Sequence, residues 1–220
     1  MLISHSHKFI FIKTKKTAGS TIESIIVNNF FDREQDVCTG SKIDGTPRIN
    51  IGLKRAGEPD GHKAWSHIMP MLNEEQRKEY FRFTVERNPW EKMVSEFYWK
   101  QSTDPELNVY SDDCDNFEVF MSKKLGTIYI PPIDWSLYSN GMNVVVDKII
   151  QFRSLKTELV ELFNEQFNLP LTEEIVESTR KKSGFRKKHY TELYRNQDLV
   201  DKVARLFHKE IKYFNYEFGE

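Results

Sequence analysis

Two cysteines, Cys38 and Cys114, are the only thiols in 220 residues. They are too few for a disulfide framework and have no neighbours at metal-ligand spacing, so each reads as a reduced, structural cysteine. A long apolar run is also missing. No stretch approaches the length needed to cross a bilayer, and the opening Met1 to His7 shows no basic region followed by an apolar segment. This predicts a soluble, cytoplasmic protein with no stable membrane insertion. Excess charge of either sign is absent too. Lys plus Arg total 32 against 33 Asp plus Glu, which gives no general attraction to nucleic acid or an acidic membrane. Any anion site must therefore be local. With no internal repeat and no break in composition, residues 1–220 read as one domain with room for a substantial core.

The local anion site is announced early. Phe9 to Ile12 is a short unbroken apolar run, as expected of a parallel strand covered on both faces, and a Lys/Thr/Gly/Ser cluster ends it. Ile22, Ile25, Ile26 and Phe30 then recur at helical spacing, with Ser20 or Thr21 expected to cap the first turn. A strand, tight turn and helix in this order present free N–H groups and the positive end of the helix dipole. Gly19 allows close approach to the backbone, and Lys13, Lys15 and Lys16 add charge. The nucleotide-binding pattern G-x-x-x-x-G-K-[ST] is absent, because Lys16 precedes the only glycine of the turn.

A second phosphate-type signal lies at Phe81 to Ser95. Phe81 to Val85 reads as another buried strand, Asn88 as an N-cap and Pro89 as the first helical residue. Arg87 then stands at a strand end, able to grip a phosphate with a two-pronged fork. Ser95, two helical turns on, lies on the side of Asn88. The rival reading is an arginine that merely pairs with a carboxylate at a helix start.

Lys16-Thr17-Ala18-Gly19-Ser20-Thr21 resembles the 5′-phosphosulfate turn of sulfotransferases that use 3′-phosphoadenosine 5′-phosphosulfate (PAPS). Val85-Glu86-Arg87-Asn88-Pro89-Trp90 with Ser95 resembles their 3′-phosphate motif. The likeness is to the carbohydrate type, similar to heparan sulfate 2-O-sulfotransferases, in its bacterial or viral form. It implies a P-loop nucleotide-kinase-like α/β fold with a mainly parallel central sheet flanked by helices. It also implies sulfuryl transfer to a hydroxyl, most readily of a carbohydrate, with adenosine 3′,5′-bisphosphate leaving and no metal required. Lys15, Lys16 and the N–H groups of Thr17, Ala18, Gly19, Ser20 and Thr21 would hold the 5′-phosphosulfate. Lys16 would stabilise the leaving oxygen, and Arg87 and Ser95 the 3′-phosphate.

In the relatives a histidine between the two motifs takes the acceptor proton. His67 matches its placement, with His62 in reserve, and an imidazole titrates in the useful range. The nine residues Arg180 to Lys188 hold six basic side chains, and the resemblance assigns Ser183 and Arg186 there to the 3′-phosphate and adenosine. Glu86 and Arg153 depart from the family pattern, which has an apolar residue and a glutamate at those places.

The remaining segments read as support. Residues 31–61 form a long variable loop, with a short strand at Ile49 to Leu53, that could shape the acceptor pocket. Trp90, Met93, Val94, Phe97 and Tyr98 give one helix a buried face. Asp112, Asp113 and Asp115 lack the spacing of a calcium loop. Further helices are expected at 116–125, 154–167 and 196–214, a strand at 144–152, and a groove-lining segment at Tyr129 to Trp135. Alternatives to sulfuryl transfer are an ATP-dependent phosphotransferase, a non-catalytic nucleotide-binding protein and a purely structural module.

Overall fold

The computed structural model describes residues 1–39, 61–179 and 188–220. The strand expected at 49–53 and the basic run with Ser183 and Arg186 lie outside these residues. Leu2–Ser4 (β1) folds back on Phe9–Ile12 (β2) as an antiparallel pair, with Leu2 opposite Phe11. Two apolar residues carry no periodicity, so β1 left no signal in the sequence. The Asp36 carboxylate fixes the connection by accepting from Ser4 Oγ at 3.1 Å and from Ser6 N and Oγ at 2.9 Å.

Beyond β2 come Gly19–Asn29 (α1), Val37–Cys38 (β3), Trp65–Ile68 (α2), Glu74–Glu79 (α3) and Phe81–Glu86 (β4). Asn73 and Gln76 bond reciprocally in a capping box that starts α3. Pro89–Gln101 (α4) and Asp113–Val119 (α5) follow. A two-stranded hairpin, Ser139–Asn140 (β5) with Asn143–Val144 (β6), then precedes Lys148–Gln151 (β7). Leu155–Glu161 (α6), Glu173–Ser178 (α7), Gln197–Leu206 (α8) and His208–Phe214 (α9) complete the order.

The described residues form two compact units. One draws on 1–86 and 134–181 and contains a five-stranded sheet in the order β3-β1-β2-β4-β7. Its parallel part is β2, β4 and β7, while β1 and β3 add an antiparallel edge. The sheet is thus mixed, with a parallel core and an antiparallel edge. Phe9 and Phe11 point to one face, as the two-residue period requires, and meet Phe83, whose ring lies 5.1 Å from Phe11. Ile22, Ile25 and Ile26 of α1 and Leu159 of α6 join the same core. Parallel pairing sets the carboxyl ends of β2, β4 and β7 along one edge, where open α/β sheets receive their ligands.

The second unit draws on 87–133 and 182–220. The stripe Trp90, Met93, Val94, Phe97 and Tyr98 is buried as its spacing predicts. It packs with Phe117, Phe120, Leu199, Val203 and Phe207. Trp90 Nε1 donates to the Val200 carbonyl at 3.0 Å. The expected helix at 196–214 is two helices, because Phe207 leaves helical geometry at φ −111° and is fully buried. The same apolar stripe continues across the break, which is why spacing alone reads it as one. The helices expected at 116–125 and 154–167 likewise change hydrogen-bond pattern midway, passing into π-turns at Phe120–Lys124 and Leu162–Gln166.

Candidate active site

β2 ends at Ile12, and the next residues turn sharply. Lys16 and Ala18 have φ of 60° and 61°, a left-handed geometry that costs an L-residue roughly 1–2 kcal/mol. Surrounding bonds hold it in place. Thr14 Oγ1 donates to the Val85 carbonyl at 2.5 Å and lies 2.7 Å from Thr17 Oγ1. The Lys15 N–H donates to the Asp134 carboxylate at 2.6 Å.

Helix α1 starts from Ala18, whose side chain makes no cap. The expected capping by Ser20 or Thr21 is therefore corrected: both residues lie inside the first turn, and the N-cap is Ala18, acting through its carbonyl. It receives the N–H groups of Thr21 at 2.9 Å and Ile22 at 3.1 Å. This takes the Thr21 N–H out of the expected anion-binding set. Among the described residues, the N–H groups of Thr17, Ala18, Gly19 and Ser20 meet no acceptor, as befits the start of a helix.

The three lysines of the turn divide. Lys13 is 4% exposed, and its Nζ reaches Glu23 Oε2 at 2.5 Å and Ser20 Oγ at 3.3 Å. Glu23, 2% exposed, also accepts from the amino group of Met1 at 3.0 Å. Burial pushes the Glu23 carboxyl upward, but the Met1 and Lys13 cations outweigh it and hold the group below the usual carboxylate range. Lys13 is thus held inside the fold by Glu23, a carboxylate it shares with the Met1 amino group. Lys15 and Lys16 are half-buried. Gly19 has its own reason to be glycine, since a Cβ there would lie 2.6 Å from Lys13 Cγ.

Of the two histidines, His62 stands against this turn. Its Nδ1 lies 3.0 Å from the Lys13 carbonyl. A carbonyl only accepts, so Nδ1 carries the proton and Nε2 is the basic nitrogen. Burial, followed by the positive charge of Lys13, lowers the His62 pKa to about 4. His67 lies on α2 with its side chain exposed.

Three buried residues of this unit escaped the sequence reading. Asp134, 1% exposed, supplies the acceptor for Lys15, and Tyr138 donates to Glu86 Oε2 at 2.8 Å. Glu86, the departure from the family pattern, is thus a hydrogen-bonded carboxylate at the end of β4. Partners 119 residues apart, as Lys15 and Asp134 are, or 52 apart, as Glu86 and Tyr138 are, leave no local trace of their bond. Glu23 did leave one, as a carboxylate set within the apolar stripe Ile22, Ile25 and Ile26.

In the second unit Asn88 caps α4 by accepting from Trp90 N at 3.1 Å, with Pro89 in the first turn, as expected. Arg87 is 8% exposed, and its Nη2 pairs with Glu91 at 3.0 Å. Ser95 is half-buried on α4. Asp112 caps α5 by accepting from Cys114 N at 2.8 Å and pairs with Arg195 and Lys188. In the first unit Arg153 is exposed. Among the described residues no helix is long and apolar enough to cross a membrane.

The model of a family described as the sulfotransferase family matches residues 1–217. No curated protein and no solved structure matches the chain.

Proposed function

The chain belongs to the sulfotransferase family, and we propose that it moves a sulfuryl group from PAPS to an acceptor hydroxyl, that of a carbohydrate first. One observation carries this reading. Four consecutive main-chain N–H groups, Thr17 to Ser20, meet no acceptor among the described residues beside Lys16, at the carboxyl edge of a parallel strand. Such a run suits the oxygens of a 5′-phosphosulfate.

Sulfuryl transfer, like phosphoryl transfer, asks the protein chiefly to align the groups and stabilise charge on the leaving oxygen. Lys16 is assigned that charge. Arg87 and Ser95 are assigned the 3′-phosphate through their motif. The rival role of Arg87 as a carboxylate partner is met by Glu91, yet a guanidinium has five donors and serves both.

For the base, the geometry favours His62 over His67. Its tautomer is set by the Lys13 carbonyl, and Nε2 is left to take the acceptor proton. A pKa near 4 suits a neutral imidazole but a weak base. The negative charge of a bound donor raises it toward the working range.

Calorimetric titration with adenosine 3′,5′-bisphosphate, 5′-AMP and ATP, on wild type and Arg87→Ala, tests the reading. Selective binding of the bisphosphate, lost in the variant, supports it. Equal affinity for ATP revives a phosphotransferase. Absence of binding by all three sinks the sulfonucleotide assignment.

A further inference from the structure

Lys13 passes over Gly19 of the turn with its ammonium held by Glu23. This gives it a geometric role. An ammonium has no lone pair, so in the contact between Lys13 Nζ and Ser20 Oγ, at 3.3 Å, lysine donates and serine accepts. Ser20 has one hydroxyl hydrogen, and this contact turns it away from Lys13. Ser20 is half-buried, in the first turn of α1, and its own N–H is one of the four that meet no acceptor.

We propose that Lys13 and Glu23 are a positioning pair that presents Ser20 as an obligate hydrogen-bond donor to the 5′-phosphate oxygens. Glu23 holds the ammonium in place from α1, Lys13 crosses over Gly19, where no Cβ intervenes, and Ser20 Oγ accepts from the same ammonium. Neither charged group touches the ligand. The device selects for an anion at this position, because a group offering its own hydrogen meets a second hydrogen from Ser20. The inference rests on the sulfonucleotide reading above and adds residues to it.

The test is made on the full chain with two ligands that differ only in the 5′-phosphate: adenosine 3′,5′-bisphosphate and adenosine 3′-monophosphate. Lys13→Met keeps the stem over Gly19 and leaves Glu23 paired with the Met1 amino group. Lys13→Met with Glu23→Gln removes both charges and retains an acceptor for that amino group, so a fold sensitive to the first change has a second route. Either variant is expected to bind the bisphosphate about tenfold more weakly, the scale of one hydrogen bond to a charged group, with 3′-monophosphate affinity unchanged. Ser20→Ala should give the same loss, and adding it to Lys13→Met should give no more. A loss shared by both ligands, or a Ser20→Ala effect that adds in full, overturns the positioning role while the sulfonucleotide site stands. Wild type that fails to prefer the bisphosphate removes that site and this inference together.

Discussion

Gly19→Ala sets two physical effects of opposite sign against each other. Gly19 is the first residue of α1, and its φ lies outside the left-handed region, so backbone strain gives no reason for glycine. Helix propensity alone would make alanine stabilising by up to about 1 kcal/mol. The new Cβ, however, would stand 2.6 Å from Lys13 Cγ, 3.0 Å from Cε and 3.2 Å from Cδ. Lys13 cannot swing aside freely, because its far end is held by Glu23 at 2.5 Å. Overpacking of this kind costs about 1–3 kcal/mol, so the net expectation is a loss of about 1–2 kcal/mol. For a chain of this size that lowers Tm by roughly 2–8 °C. Thermal unfolding of Gly19→Ala in the wild-type and Lys13→Ala backgrounds measures it. With the lysine stem gone the clash disappears, and the same substitution should become neutral or stabilising. An unchanged or higher Tm in the wild-type background would refute the steric argument, as would an equal loss in both.

His62, with its pKa lowered to about 4, refuses a proton that the unfolded chain accepts at its ordinary value near 6.5. Stability from this source is complete above about pH 6.5 and is lost as pH falls toward 4, by up to about 3 kcal/mol. His62→Gln should flatten urea-derived stability across that window, and an unaltered slope would count against the buried neutral imidazole. Glu23, held below the usual carboxylate range, adds a separate loss on further acidification, as pH falls through its folded pKa. Asp134→Ala removes the buried acceptor of the Lys15 N–H and should cost about 1–3 kcal/mol, with weaker bisphosphate binding because the turn loosens; a stable variant with full affinity would show that Asp134 does not hold it. Tyr138→Phe should cost a similar amount by removing a donor to the buried Glu86, and Tyr138→Phe combined with Glu86→Leu should recover part of it in the same unfolding assay.

What the sequence disclosed follows the range of each interaction. The strand at Phe9–Ile12, the turn, the helix after it and the Asn88-Pro89 start of α4 are written in contiguous residues, and all of them appear. The histidine choice was less legible. His62 and His67 stand five residues apart in similar polar company, and only the fold of the chain back onto Lys13 separates a histidine against the turn from an exposed one. Asp134 and Tyr138 were invisible as site residues for the same reason, since each meets its partner across a long loop of sequence. The antiparallel edge of the sheet was missed because β1 is shorter than the period that would reveal it.

The lysines show why residue type alone misjudges a charged turn. Lys13, Lys15 and Lys16 count equally in sequence as positive charge. Strand geometry separates them, because Lys13 leaves β2 where α1 packs against the sheet, and the apolar stripe of α1 carries Glu23 to meet it. A lysine 4% exposed without a partner would carry the full cost of a buried charge. A glutamate among isoleucines faces the same penalty. Each group makes the other tolerable, and their contact with the first turn of α1 fixes the position of Ser20. On the proposed reading, Lys15, Lys16 and the helix start meet the ligand's charge, and Lys13 acts by holding the first turn of α1.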